Sequence, residues 1–107
     1  MRIGIDARNL TDTTGRYVER LLYYLQEIDQ HNQYFVFLNK EGYEKWHAKA
    51  GNFSAILADF SIYGVDGQFA YARLLKKFKL DLMHFSFQQT PLPYKGKIVV
   101  TIHDLTQ

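Results

Sequence analysis

The run Ile98-Val99-Val100-Thr101-Ile102 constrains the fold of this chain more than any other segment. Consecutive β-branched residues favour an extended strand, and the lack of regular polar alternation marks a strand covered on both faces, as in a parallel sheet. His103-Asp104 follows at once, so the strand is expected to deliver an imidazole and a carboxylate to the carboxyl edge of the sheet. Open α/β folds bind ligands at that edge. The chain has only three residues after Asp104, so it is expected to hold part of a site rather than all of it.

The rest of the chain alternates between strand and helix signals. Residues 2–7 read as a short buried strand and 9–14 as a polar loop. Tyr17, Leu21, Leu25 and Ile28, widened by Val18 and Leu22, form the apolar stripe of a helix over 15–29. Residues 34–38 are a second strand, 41–50 a short helix ended by Gly51, and 53–57 a weaker third strand. Residues 61–67 read as loop. A basic helix over 68–79 carries Phe69, Ala72, Leu75 and Phe78 on one face, and 80–85 is a fourth strand. Pro91 and Pro93 make 87–96 irregular before the fifth strand at 97–102.

This alternation predicts one α/β domain spanning 1–107. It is a Rossmann-like three-layer sandwich whose mainly parallel sheet has five strands. In such a sheet the first and fourth strands are neighbours and the crossing order reverses between them. The loop after Asp6, the segment 84–89 and His103-Asp104 are then expected to converge at one crevice. The fifth strand is left as a sheet edge, open to pairing with a second copy.

Bulk properties narrow the function classes. A net charge of +2 gives no case for nucleic acid. The absence of cysteine excludes disulfides, thiolate metal sites and a cysteine nucleophile. No signal peptide is evident, and no apolar run approaches the roughly 18 residues of a membrane span, so a cytoplasmic setting is expected. No cofactor and no metal are expected, because His84 and His103 lack further identifiable ligands. The eight Tyr, eight Phe and one Trp fill a core or line an interface or a sugar-binding surface.

Six residues are candidates for chemistry. Gly15 and Arg16 open the first helix, where free amides and the helix dipole favour an anion. The alternative is a plain strand-to-helix turn with a tightly packed glycine and a solvated arginine. Arg8 lies in the turn before them. His103 can hydrogen-bond a hydroxyl or exchange a proton near neutral pH, and Asp104 can orient it; a satisfied polar pair at a strand end is the alternative. His84 ends the neighbouring strand and reads as a crevice wall or as a satisfied core histidine.

Taken together these segments resemble the beginning of a family-4 glycosyltransferase of the GT-B fold. Residues 2–8 resemble that family's opening strand and turn. Gly15-Arg16-Tyr17-Val18 resembles the second half of its G-x-G-R-Y-type helix entry, residues 79–85 its fourth strand, and 97–105 its V-V-T-I-H-D-L segment. The resemblance implies two facing Rossmann-like domains, with the acceptor on the N-terminal one and a nucleotide-sugar donor held mainly by the C-terminal one. It also implies transfer with retention and usually without a metal. His103 matches the histidine near the donor sugar; Gly15 and Arg16 match the end of the turn near the donor phosphates and acceptor. Thr13-Thr14 stand where the family has its first glycine, and the downstream E-x7-E segment has no counterpart. The expectation is an N-terminal fragment of a retaining transferase, inactive alone because half a cleft holds no complete site. The other expectation is a non-catalytic module derived from such an enzyme, which binds itself or a partner.

Overall fold

The strand signals find partners in a single parallel sheet. In the computed structural model, residues 1–12, 15–60, 65–85, 96 and 98–100 are described. Strands β1 (Arg2–Asp6), β2 (Gln33–Leu38), β3 (Phe53–Leu57) and β4 (Leu82–Phe85) run parallel in the order β3-β2-β1-β4. The backbone of β5 (Ile98–Val100) lies parallel beside β4, with Met83 opposite Ile98. Helices α1 (Gly15–Ile28), α2 (Lys40–Lys45) and α3 (Val65–Lys77) make the connections. The architecture is α/β and Rossmann-like, as the alternation predicts. Among the described residues no helix is long and apolar enough to cross a membrane.

The sheet separates two cores of different character. On one face Ile5, Ala7, Val36 and Leu38 pack with Val18 and Leu22 of α1, and Tyr34 stacks on Phe53 with ring centroids 4.3 Å apart. On the other face Phe35, Phe37, Met83 and Phe85 pack with Tyr71 and Leu75 of α3. Gly4 leaves room for the second core: a Cβ there would come within 2.5 Å of Met83 Sδ, 2.6 Å of Leu80 Cδ1 and 3.1 Å of Phe37 Cε2, so these side chains would have to shift.

Several boundaries and faces differ from the sequence reading. The buried stripe of α1 is Gly15, Val18 and Leu22, with Leu25 partly buried; Tyr17 is exposed and Ile28 is 76% exposed. Val18 and Leu22 pack in the core with Ile5 and Val36, which leaves Tyr17 and Ile28 outside it. The second helix stops at Lys45 rather than continuing to Ala50. Asn39 caps its start by accepting from the Gly42 amide at 2.8 Å. Trp46 then turns extended and packs against the α1-side core, while Gln26 Oε1 accepts from the amides of Lys49 at 2.7 Å and Ala50 at 3.3 Å. Helix α3 begins at Val65, three residues early, with Asp66 suited to the positive end of the helix dipole. Its buried aromatic is Tyr71, whereas Phe69 is 48% exposed.

The α1–β2 connection is held by one carboxylate. Asp29 accepts from the His31 amide at 2.9 Å, the Asn32 side chain at 2.7 Å and the Tyr34 hydroxyl at 2.6 Å. The Tyr34 bond, then Asn32 and His31, hold the Asp29 carboxyl well below the ordinary range. Burial and the bond to Asp29 push the Tyr34 phenol up. A depressed carboxylate stabilises the fold above its unfolded value, about pH 4, and that contribution is lost as pH falls through the folded value. Tyr34→Phe is expected to move the Asp29 titration, followed by carboxyl NMR, up toward the ordinary range and to weaken the acid dependence of stability. An unchanged Asp29 titration would rule the network out as its cause.

Candidate functional site at the carboxyl edge of the sheet

The strand order reverses at β1, whose neighbours are β2 and β4. The carboxyl ends of β1 and β4, the turn over residues 7–12 and the start of α1 therefore share one edge. The turn is a ladder of short backbone bonds: Leu10 to Ala7, Asp12 to Asn9 and Gly15 to Asp12, each amide donating at 3.0 Å. The Ala7 amide donates to the Phe37 carbonyl at 2.8 Å, which anchors the turn to β2.

The alternation of β1 decides which face each side chain takes. Ile5 pairs with His84 and Asp6 with Phe85. His84 therefore shares the α1 face with Ile5, and its ring lies 6.4 Å from that of Tyr17. It is half-buried, and burial lowers its pKa below the ordinary imidazole value. A histidine held neutral by burial adds stability above its unfolded value near pH 6.5, lost as pH falls through the folded value. The His84 ring is expected to titrate below the ordinary range in an NMR titration. His84→Phe is expected to flatten the dependence of stability on pH below about 6.5. An ordinary His84 titration would exclude burial as its governing environment.

Asp6 projects to the other face, where it is fully buried. Arg8 folds back onto it: Nε donates to Oδ1 at 3.0 Å, Nη2 to Oδ2 at 2.9 Å, and the Arg8 amide to Oδ1 at 3.1 Å. This is the two-pronged arginine–carboxylate geometry, made within one side of a strand end. The guanidinium carbon lies 4.0 Å from the Tyr71 ring centroid. Burial opposes the Arg8 charge, but the Asp6 carboxylate outweighs it and holds the guanidinium above its ordinary range. Burial, then the Asp6 charge, pushes the Tyr71 phenol well up. The Tyr71 hydroxyl is in electrostatic reach of both ions, yet among the described residues it has no partner in good hydrogen-bond geometry.

The candidate residues thus part company. Arg8, read as a ligand-binding residue, spends its fork on Asp6 and packs under Tyr71. Gly15 is buried, and a Cβ on it would collide with the carbonyls of Asn9 and Leu10. The chain's own turn fills the space against Gly15, which favours the reading of a tightly packed glycine. Arg16 is exposed on the outer side of α1, beside Tyr17 and Arg20. His84 and Tyr17 do meet at the edge. His103 and Asp104 lie outside the described residues.

Asp6 and Tyr71 are the polar residues that sequence reasoning missed. The signal for Asp6 was present, since alternation from Gly4 places it on a covered face. Among the described residues no group of three or more histidines and carboxylates is placed to hold a metal. Comparison with protein-family models, curated proteins and solved structures finds no match for this chain.

Proposed function

We propose that the chain is the N-terminal, acceptor-side part of a retaining glycosyltransferase, a five-stranded Rossmann-like domain of a GT-B enzyme. The observation that carries this reading is the reversal of strand order at β1, with the β1–α1 turn, Tyr17 and His84 gathered at one carboxyl edge. The resemblance of residues 2–8, 15–18, 79–85 and 97–105 to that family adds the chemistry. In this reading Arg16, Tyr17 and His84 face the sugars, His103 and Asp104 meet the donor sugar, and the nucleotide is held by a second domain. Asp6 and Arg8 serve the site by fixing the turn rather than by touching substrate.

The test is an amide NMR titration of the 107-residue polypeptide with a panel of nucleotide sugars and acceptor sugars. Shifts gathered at Arg16, Tyr17 and His84, without turnover, are expected. No perturbation at that edge would overturn the site, and turnover by these residues alone would overturn the claim that they form half a cleft.

A second reading is a self-associating or partner-binding module. It draws on the exposure of Tyr17, Tyr24 and Ile28 along α1, an apolar surface that a lone domain gains little by showing. Light scattering separates the two, since a strict monomer at high concentration removes self-association.

A further inference from the structure

A groove of about 830 Å³ runs between α1 and the α2 segment, away from His84 and the Asp6–Arg8 pair. Its size falls within the range of small-molecule sites, about 300–1,000 Å³. Arg20 and Tyr24 form one wall, Trp46, His47 and Lys49 the other, and Leu10 closes one end.

The walls are fixed before any ligand arrives. Gln26 of α1 accepts from the Lys49 and Ala50 amides across the groove, so the two sides cannot drift apart independently. Trp46 is only half-buried; it rests on the core yet keeps surface in the groove. Glu41 and Lys45 neutralise each other at 2.9 Å. Arg20 and Lys49 make no ion pair among the described residues, and Glu19 is the only other carboxylate on the lining.

Those features define a ligand. Aromatic rings next to planar and hydrogen-bonding side chains suit a ring that is apolar on its C–H faces and polar on its rim. Arg20, a guanidinium fork, and Lys49, neither of them in an ion pair among the described residues, suit an anionic substituent on that ring. A wholly apolar ligand would strand the charges on both walls. We infer that the groove binds a saccharide bearing a carboxylate or phosphate group. This inference does not rest on the transferase reading, because Arg20, Trp46 and Lys49 carry it, and of the groove's lining only Leu10 and Thr11 belong to the turn at the carboxyl edge.

Trp46 is the only tryptophan in the chain, so tryptophan fluorescence reports on this wall of the groove. Titration of the full chain with glucuronic acid, glucose 6-phosphate, glucose and inorganic phosphate tests the inference. Saturable changes are expected with the two anionic sugars, at least about tenfold tighter than with glucose or phosphate. Arg20→Ala and Lys49→Ala, at exposed positions, are expected to weaken binding about tenfold each with unchanged circular dichroism, and Arg20→Lys to recover part of the loss. No saturable change with any probe would overturn the inference. So would equal binding of glucose, which removes the anion, or of phosphate, which removes the sugar. Unaltered binding in both alanine variants would place the ligand elsewhere. Failure of this experiment leaves the carboxyl-edge resonances, and the reading that depends on them, untouched.

Discussion

Asp6→Asn is expected to destabilise the protein by about 3–5 kcal/mol, because it removes the carboxylate from a buried ion pair. Arg8 would keep its charge, packed against Tyr71, after losing the Asp6 carboxylate. For a domain of about 100 residues the melting temperature should fall by upwards of about 12 °C. Replacing both ions with apolar residues of similar volume, Asp6→Leu with Arg8→Met, should restore most of that loss, since neither charge is then left unpaired. Thermal and urea unfolding of the three proteins check this. A loss below about 1 kcal/mol for Asp6→Asn would mean that water reaches the pair.

Gly15→Ala is the second substitution with a large expected effect. The new Cβ has no flexible neighbour to displace; it meets the backbone carbonyls of Asn9 and Leu10. Overpacking of this kind costs about 1–3 kcal/mol. The turn over 7–12 must move to relieve it, so amide shifts should spread through Asn9, Leu10 and Asp12. Gly51→Ala is the control, because a Cβ there has nothing within 4 Å. It is expected to be neutral or to stabilise by up to about 1 kcal/mol through the unfolded chain. Equal effects at the two glycines would show that the collision does not govern position 15.

The fold was legible because its signals are long and periodic. The spacing of Val18, Leu22 and Leu25 fixes a helix, and the apolar run over 34–38 fixes a strand whichever neighbours it finds. Their order then restricts the sheet to few arrangements. What the periodicity could not supply was which side of a stripe wins. Tyr17 and Val18 both fit an apolar arc on α1, and only packing against Ile5 and Val36 selects Val18. On α3 the expected face included Phe69, yet the buried aromatic is Tyr71, whose ring lies against the Arg8 guanidinium. The end of α2 was hidden for another reason. Its signal is Gln26, more than a dozen residues upstream, which takes two amides that a longer helix would have bonded internally.

The candidate site was legible in location more than in roles. The strand ends named the edge, and Tyr17 with His84 meets there. Arg8, a substrate-binding candidate in the sequence, is seen in the structure to bind Asp6. Its partner sits only two residues away, where a strand would place both side chains on one face. That face is covered, so the two ions meet in the interior.

The contrast between the sheet's two sides gives the Asp6 carboxylate a further consequence. Sliding β1 by one position would exchange its sides, pushing the acid among the aliphatic groups beneath α1 and bringing Ile5 up to the phenol ring. Only one alignment lets the negative group find its guanidinium. The ion pair therefore acts as a key that admits a single threading of the central strand, whatever its net worth to stability.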